Sequence, residues 1–487
     1  MSKHRKTIII ILVVLAVLIA GGWYLLRGQT AELPFGDVTG TRPELGEPSP
    51  ETIPTVNIAK PVGWQDNETP RSAEGLVTNR FADGLDHPRV IYTLPNGDVL
   101  VALANRPDDS SPGGIEGFFM NWFFDRAGAG GASPDQIILL RDSNGDGKAD
   151  LRKVLREGLA SPSGIAWGNG KLYVANHNAL LSFDYTPGDE ALAGEPEKLM
   201  DLPPGGNHWM RNIILSPDGK SLYVAVGSAS NIGERGMELE EGRAMIWEYD
   251  LEARQQRMFA AGLRNPNGLA FSPFTDELWT TVNERDMLGS DLVPDYLTNV
   301  PIGAQYGWPW AYWKDHMDRR VTAPLPAYLL EYTRKPEMAL GPHVAALGLV
   351  FTQGGSRMGP EFSQGAFIAQ HGSWNRKPAS GYDVVYVAFD DHGNPIGKPQ
   401  TVLDGFLRDD GKTRGRPTWL AWAQDGALLL SDDTAGIIWR VQNPQTQPAT
   451  AIEKIKGASL PPRKELDGNT AASFGADDYA RVEPASE

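Results

Sequence analysis

Several side chains of the types that enzymes use lie in glycine-rich stretches, away from the apolar runs. His208 lies in Gly-Gly-Asn-His-Trp, and Arg264 and Asn265 lie in Gly-Leu-Arg-Asn-Pro-Asn-Gly. A loop histidine can act as a general base because its pKa lies near neutrality. An arginine offers a planar fork to a carboxylate or to a developing oxyanion. Taken singly, each residue could equally hold its own loop by hydrogen bonds.

Further cations stand at the ends of β-rich stretches. Arg376 closes the stretch His-Gly-Ser-Trp-Asn-Arg, and Arg414 and Arg416 open Arg-Gly-Arg-Pro. The chain as a whole is acidic, with 45 Lys and Arg, 61 Asp and Glu and a net charge of −16. A nucleic-acid-binding protein needs a basic stripe to neutralise phosphates. We therefore expect no nucleic-acid partner and a small polyanion bound near these arginines.

One acidic loop has the spacing of a calcium-binding loop. Ca²⁺ prefers side-chain oxygens at the first, third, fifth and ninth positions with a glycine at the sixth, and these oxygens belong here to Asp142, Asn144, Asp146 and Asp150. The twelfth position is Lys153 instead of a bidentate Glu, so the loop is not a complete EF-hand. A structural calcium site and an Asx-rich turn that binds nothing are both consistent with this pattern.

A second acidic loop spans residues 283–295. It contains Arg285, Asp286 and Asp291, and it is followed by Tyr-Gly-Trp-Pro at residues 306–309. Carboxylates beside exposed carbonyls make a hard-cation site plausible. The alternative is a solvated acidic loop without a ligand.

The composition limits the elements that can position these residues. No cysteine is present, which excludes disulfides, thiolate zinc sites, iron–sulfur clusters and cysteine nucleophiles. With 54 Gly and 37 Pro, the chain is too rich in turns for a helical bundle. Hydrophobic residues make up 41% of it, which is enough to build a large β core.

A strand, a tight turn and a second strand recur along the body of the chain. The copies begin at residues 87, 162, 211, 266, 343 and 417, and several contain a Gly-Ile/Leu-Ala-Trp/Phe pattern before the turn. Six copies spaced by roughly 50–75 residues fit a β-propeller with one four-stranded blade per copy. The sequence therefore predicts an all-β, six-bladed β-propeller over residues 74–442; a sandwich of unrelated hairpins is the alternative.

The ends of the chain differ from this body. Residues 7–26 are almost continuously apolar and follow a basic segment at residues 1–6. Such a run matches a membrane-spanning helix with its N-terminus in the cytoplasm, so we expect an inner-membrane anchor and a periplasmic body. A cleaved signal peptide is the competing interpretation. Residues 27–73 are predicted as a flexible linker and residues 443–487 as a disordered tail.

Taken together, these stretches resemble one known family. Matching pieces occur in family order from residue 79 to residue 441, among them GNHW, GLRNPNGLAF, NERDMLGSDLVPDYLT, AQHGSWNR and GRPTWLAWAQDGALLLSDD. Each piece is weak alone, but the ordered set is specific. The body resembles the soluble-type sugar dehydrogenases that depend on pyrroloquinoline quinone (PQQ), and especially their sorbosone dehydrogenase-like branch.

The resemblance implies a propeller that binds PQQ and Ca²⁺ at the mouth of its channel. It implies that His208 accepts the proton of a sugar or sugar-aldehyde hydroxyl while hydride passes to the quinone, with Arg264 and Asn265 beside the quinone. It further implies cofactor-carboxylate contacts from Arg89, Arg376 and Arg416. The backbone carbonyls around Arg285 and Asp286 would hold the calcium ion, and a quinone or a cytochrome would accept the electrons.

Two departures and two other functions complete the expectations. Residues 227–231 read Gly-Ser-Ala-Ser-Asn, without the Asp of glucose-oxidising members, so His208 lacks that orienting carboxylate unless Glu234 or water replaces it. An aromatic insertion at residues 115–124 could cover the substrate, contact a membrane or pack on the propeller. A lactonase-type hydrolase and a non-catalytic propeller that binds a glycan or a protein partner are the alternative functions.

Overall fold

The described part of the chain folds into six antiparallel β-sheets arranged as blades in a ring, which confirms the predicted all-β, six-bladed propeller. The computed structural model describes residues 9, 11–17, 21–22, 27–107, 122–123 and 125–455. The strands of blades 1, 2 and 3 are, in order from the channel outwards, Pro88–Thr93, Val99–Leu103, Gln136–Arg141 and Leu151–Arg156; Gly164–Gly168, Lys171–Ala175, Ala179–Asp184 and Glu197–Asp201; Ile213–Leu215, Ser221–Val226, Met245–Asp250 and Gln255–Ala261.

Blades 4, 5 and 6 complete the ring. Their strands are Asn265–Phe271, Leu278–Asn283, Pro294–Asn299 and Met338–Pro342; Ala346–Phe351, Gly365–Gln370, Asp383–Phe389 and Pro395–Asp404; Pro417–Trp422, Leu428–Asp432, Ile437–Gln442 and Val77–Ala82. The outer strand of blade 6 comes from before blade 1 in the sequence and pairs antiparallel with Ile437–Gln442. This pairing joins the two ends of the propeller and closes the ring.

A few short elements lie outside the blades. Arg71–Ser72 pairs with the outer strand of blade 5, and Ala304–Gln305 pairs in parallel with that of blade 3. Other short elements among the described residues include the strand pair Ala311–Tyr312 and His316–Met317, the 3₁₀ turns Met237–Glu240 and Pro360–Phe362, and the helical turn Leu329–Tyr332.

Strand patterning places the core between the blades. The second strand of each blade is nearly continuously apolar and buried, as in Val99–Leu103 and Ser221–Val226. A second strand has apolar residues on both faces because neighbouring blades pack on either side of it. Tight turns close the hairpins, and Gly97 and Gly219 supply the positive φ angles of 92° and 71° that two of these turns require.

One end of the propeller collects the polar residues singled out in the sequence. Because the first two strands of a blade are antiparallel, the start of the first strand and the end of the second meet at the same end of every blade. We call this end of the ring the mouth. The loop from Asp142 to Asp150 joins the third and fourth strands of blade 1 and therefore lies at the opposite end.

Residues 27–70, which we call the strap, pack along the propeller, whereas their composition predicts a flexible linker. The backbone N–H groups of Glu32 and Leu33 donate to Asp291 Oδ2 at 2.6 and 3.1 Å. Val38 and Ala59 are buried, and further N–H groups of the strap donate to carbonyls of loops within blades 4 and 5. A segment without periodicity is thus held by buried side chains and backbone hydrogen bonds.

The C-terminal segment begins in the same way. Ala449 N–H donates to the Ser356 carbonyl at 2.8 Å, and Ile452 and Ile455 pack against the core between blades 4 and 5. Residues 443–455 of the predicted disordered tail are therefore packed on the propeller. Residues 456–487 lie outside the described part of the chain.

Two other predictions fall largely on residues that are not described. The predicted anchor at residues 7–26 is described only at Ile9, Ile11–Val17 and Gly21–Gly22, all helical. Within the described ranges, no helix is long and apolar enough to cross a membrane. Of the aromatic insertion at 115–124, Trp122 and Phe123 are described, with Trp122 half exposed and edge-to-face with Phe123.

Candidate active site

His208 lies at the mouth before the first strand of blade 3, with its imidazole fixed in one tautomer. Its Nδ1 is 2.8 Å from the carbonyl oxygen of Ser228 and 3.0 Å from that residue's hydroxyl. A backbone carbonyl can only accept a hydrogen bond, so Nδ1 carries the proton and Nε2 keeps its lone pair. Burial, and then the charge of Arg264, lower the pKa of His208 to about 3. The imidazole is therefore neutral and able to accept a proton at Nε2.

Ser228 thus takes the orienting role for which the sequence analysis named Glu234 or water. The Glu234 carboxylate instead accepts the backbone N–H groups of Asn231 and Ile232 at 3.2 and 2.8 Å. Gly227, next to Ser228, brings His208 and Asn265 together. A Cβ atom at Gly227 would lie 2.3 Å from Asn265 Oδ1 and 2.7 Å from His208 Cβ, so the close approach of these side chains requires glycine here.

Arg264 is buried beside this histidine, and the protein occupies all five of its N–H donors. Nε and Nη2 donate to the carbonyl and side-chain oxygens of Asn231 at 3.1 and 2.9 Å, and Nη2 also donates to Asp286 Oδ2 at 2.9 Å. Nη1 donates to the carbonyls of Asn283 and Glu284 at 3.4 and 2.7 Å. Arg264 was predicted to contact the cofactor; in the structure it ties blades 3 and 4 together.

Asp286 is the acidic partner in this network. Burial alone would raise the pKa of its carboxyl, but Arg264, His343 and Asn375 together hold that pKa well below its usual range. His343 presents Nε2 to the Gly289 carbonyl at 3.1 Å and Nδ1 to Asp286 Oδ1 at 3.4 Å. Both ring nitrogens face acceptors, which favours the imidazolium, and despite burial the pKa of His343 is raised.

The backbone carbonyls around Asp286 do not fit the calcium ion that the sequence predicts there. The Asp286 carbonyl accepts Asn231 Nδ2 at 3.1 Å and Arg320 Nη1 at 2.9 Å. The Met287 carbonyl accepts Arg320 Nη1 at 2.7 Å and the Glu51 N–H at 3.1 Å. A carbonyl oxygen has two lone pairs, so both oxygens are already fully used.

Arg285, predicted at the metal site, is fully buried and part of the framework. Its guanidinium pairs with Glu284 and donates to the carbonyls of Pro309 and Ala311 at 2.6 and 2.7 Å. A cation cannot itself ligate a metal, and this one holds the loop from behind. Arg285 therefore has a structural role.

The other predicted calcium loop uses its oxygens on its own backbone. Asp142 accepts the N–H groups of Gly145, Asp146 and Gly147 at 2.8 to 3.2 Å, and Asn144 Oδ1 accepts that of Asp146 at 2.9 Å. Asp150 Oδ1 accepts the Ser143 N–H. In the described ranges, no three His, Cys, Asp or Glu side chains are grouped as a metal site. Calcium binding at this loop stays a prediction.

Arg416 differs from the arginines on the blade 4 side of the mouth. It lies just before the first strand of blade 6, 5% exposed, over the Tyr382 ring at 4.9 Å. Its Nη1 reaches the carbonyls of His371 and Gly372 at 3.3 Å. In the described part of the chain, its buried Nε and Nη2 have no hydrogen-bond partner. These two donors form the side-on edge that binds a carboxylate in a bidentate way.

A buried carboxylate, Asp433 of blade 6, joins two mouth residues, one from blade 5 and one from blade 1. His371 Nε2 lies 3.0 Å from both of its oxygens, and Arg89 forms an ion pair with it. Arg89 also stacks over Trp209 at 5.4 Å, next to His208, and its buried Nε lacks a partner among the described residues. Asp433 therefore connects Arg89 with His371, and the His371 carbonyl accepts from Arg416.

Arg376 does not join this group. Its Nε and Nη1 donate to the carbonyls of Ser290 and Pro378 at 2.8 Å each, and Nη2 lies 3.6 Å from Asp291. Predicted as a cofactor contact, Arg376 is 2% exposed and holds the loops of blades 4 and 5 together.

Sequence reasoning missed Ser228, His343 and Asp433. Each follows or precedes a strand at the mouth. Aligning the ends of the second strands of all six repeats would have placed Ser228 and Asp433 at the mouth.

Two family models match this chain. The model described as TrAA12-like matches residues 134–300 and 330–444, which is more than half of the 487 residues. The model described as Glucose / Sorbosone dehydrogenase matches residues 247–373. The matches to both models include Arg264, Asp286 and His343, and the match to the TrAA12-like model also includes His208 and Arg416.

Individual relatives agree in architecture. A pyrroloquinoline quinone-dependent pyranose dehydrogenase of Coprinopsis cinerea is 24% identical over 440 residues, which cover 77% of this chain and 55% of that enzyme. The chain thus spans a little over half the length of that relative. The holo form of the pyranose dehydrogenase PQQ domain from the same fungus has a TM-score of 0.60 at 20% identity, covering 79% of this chain and 100% of that one.

A calcium structure of a family AA12 carbohydrate-active enzyme from Trichoderma reesei is similarly close. Its TM-score is 0.61 at 20% identity, and the match covers 77% of this chain and 97% of that one. At these identities the likeness shows a shared fold.

Proposed function

The chain belongs to the TrAA12-like family, and we propose that it oxidises a sugar or sugar-aldehyde hydroxyl with His208 as the base. Its relatives indicate an oxidoreductase of the PQQ-dependent sugar dehydrogenase type. PQQ supplies the hydride-accepting quinone when it is bound. The chain's own residues bind that group, orient the substrate and accept the proton.

The observation that carries the proposal is the open edge of Arg416. Its buried Nε and Nη2 lack partners in the described part of the chain, and buried donors left without partners are costly unless a ligand satisfies them. PQQ carries three carboxylates, one of which fits this edge. Arg89, with a buried and unpartnered Nε, would hold a second carboxylate.

His208 would take the hydroxyl proton at Nε2. The Ser228 carbonyl keeps the proton of the neutral ring on Nδ1, so no rearrangement precedes the transfer. As hydride leaves carbon, the hydroxyl becomes a strong acid, and even a weakly basic imidazole then lowers the barrier. The nearby charge of Arg264 would favour return of the proton to solvent after turnover.

The cellular setting is part of the proposal. The apolar run at residues 7–26 behind basic residues supports a single-pass anchor in the cytoplasmic membrane with the propeller in the periplasm. A membrane quinone or a cytochrome would then accept the electrons. The proposed reaction includes no calcium ion, because the carbonyls of Asp286 and Met287 are already occupied.

The test is reconstitution of the full chain, purified in detergent, with PQQ. We expect an absorbance change and tryptophan quenching on binding, and dye reduction with a panel of aldoses and sugar aldehydes. Arg416→Met should weaken PQQ binding, whereas Arg414→Met should not, because Arg414 is engaged by Glu68 and the Gly405 carbonyl.

Two results would contradict the proposal. If added PQQ gives no spectral change at saturating concentration, the cofactor assignment fails. If the protein hydrolyses sugar lactones and reduces no dye, the lactonase-type alternative is correct.

A further inference from the structure

Arg320 joins a buried carboxylate to the backbone of the loop that contains Asp286. Its Nε and Nη2 donate to the two carboxylate oxygens of Asp318 at 2.9 and 2.7 Å. The Asp318 side chain is fully buried and also faces Arg285. This bidentate pair fixes the plane of the Arg320 guanidinium before any ligand arrives.

The free edge of that guanidinium meets two consecutive carbonyls. Nη1 lies 2.9 Å from the Asp286 oxygen and 2.7 Å from the Met287 oxygen. Met287 has a φ angle of +67°, an uncommon value for a residue other than glycine. Two carbonyl dipoles that converge on one point repel each other unless a positive charge lies between them, and Arg320 supplies that charge.

The other lone pairs of these carbonyls are also occupied. Asn231 Nδ2 binds the Asp286 oxygen from blade 3, and the Glu51 N–H of the strap binds the Met287 oxygen. A calcium ion at this position would have to displace Arg320 and break at least one of these bonds. The carbonyls of Leu288, Gly289 and Ser290 likewise accept protein donors.

We propose that the guanidinium of Arg320 takes the place of a calcium ion at the carbonyls of Asp286 and Met287, so that PQQ binds this chain without a divalent cation. The inference rests on the proposed function, since it concerns how the same site holds that cofactor. Arg320 is a positioning residue here: it keeps two carbonyls converged and holds a fixed positive charge at the blade 4 edge of the mouth.

The first experiment needs no variant. The full chain, freed of divalent ions, is titrated with PQQ in EDTA and in Ca²⁺, and binding is followed by tryptophan quenching. We expect the two dissociation constants to agree within about twofold. A constant about tenfold or more weaker in EDTA would overturn the inference while leaving the proposed function intact. If PQQ binds in neither buffer, the proposed function fails and this inference fails with it.

A matched pair of variants then tests the residue. Arg320→Met should weaken PQQ binding in EDTA by about tenfold or more. The two carbonyls lose their charge-assisted contact with Nη1, and the mouth loses a fixed positive charge. Ca²⁺ should restore part of that loss, since the two carbonyls become free to bind it. Arg319→Met is the control: Arg319 is the exposed neighbour, and its loss should change neither constant.

Two precautions keep the result decisive. Asp142→Asn in every protein removes the first carboxylate of the calcium-like loop at the opposite end of the propeller, so that any Ca²⁺ effect reports on the mouth. If Arg320→Met fails to fold by circular dichroism, Arg320→Lys replaces it and should retain the charge with partial binding. A folded Arg320→Met that binds PQQ in EDTA as tightly as the parent protein contradicts the proposal.

Discussion

Apart from Arg376, which is bonded within the protein where blades 4 and 5 meet, the arginines on the two sides of the mouth are used in opposite ways. On the blade 4 side, Arg264, Arg285 and Arg320 donate to carbonyls and carboxylates of the protein. On the side of blades 5, 6 and 1, Arg416 and Arg89 keep buried donors that have no partner in the described part of the chain. A saturated arginine fixes geometry, and an unsaturated one is available to a ligand. Four of these five, all but Arg320, look alike in sequence, being cations at strand ends.

The largest effect is expected from His208→Ala. Loss of a positioned base should lower kcat by about 10²- to 10⁴-fold, while the PQQ dissociation constant stays nearly unchanged because His208 provides no charge to the cofactor. Steady-state dye reduction and PQQ titration measure the two quantities. Full turnover in this variant would show that the base lies elsewhere, with His371 on the other side of the mouth as the next candidate.

Arg264→Met should break the saturated side. Five donors disappear and the buried Asp286 carboxylate loses its nearest cation, so the free energy of unfolding should fall by about 3–5 kcal/mol. Chemical denaturation with fluorescence detection measures this change. A variant with parental stability and weakened PQQ binding would instead restore Arg264 to the cofactor-contacting role that the sequence predicts.

Arg416→Met should have the opposite profile. PQQ affinity should fall by about 10- to 100-fold, whereas the unliganded protein should be as stable as the parent or more so, because two unpaired buried donors are removed. Titration and thermal unfolding without PQQ provide the comparison with Arg264→Met. Equal losses of stability in both variants would abolish the distinction between the two sides.

The smallest effect concerns pH and the pair of His343 and Asp286. The raised pKa of His343 means that its stabilising contribution is complete below the unfolded value near 6.5 and is lost as the pH rises through the folded value. Thermal stability should therefore decline from neutral to alkaline pH more in the parent protein than in His343→Gln. Parallel declines would show that the imidazolium is not formed.

The sequence predicted the propeller because each blade repeats a local signal. A hairpin turn such as Pro-Asp-Gly in one copy and Asn-Gly in another, between strands of alternating or buried residues, needs no information from elsewhere in the chain. The same local reasoning placed His208 and Arg416 correctly at strand ends of the mouth.

Local reasoning could not predict the partners of these side chains. Arg264 meets Asn231 from blade 3 and Asp286 from the far end of its own hairpin. Whether an arginine is saturated depends on such contacts, which composition and spacing do not encode. For this reason Arg264 and Arg376 were predicted alongside Arg416 although their surroundings differ.

The strap was mispredicted for a similar reason. Its proline- and glycine-rich composition is typical of a tether, yet Glu32 and Leu33 bind Asp291, more than 250 residues away. Ordered segments without secondary structure are stabilised by such distant contacts, and a pattern search within the segment does not detect them.

The path of the strap decides where this protein can be shortened or fused. A recombinant form that starts at residue 74 loses the Glu51 N–H that caps the Met287 carbonyl and the Asn57 N–H that donates to the Trp374 carbonyl. A start at residue 27 retains both. That residue already lies at the rim, since Lys377 Nζ donates to the Arg27 carbonyl at 2.6 Å. An affinity tag or fluorescent protein placed there would stand beside the mouth, so the C-terminus is the better site for a label.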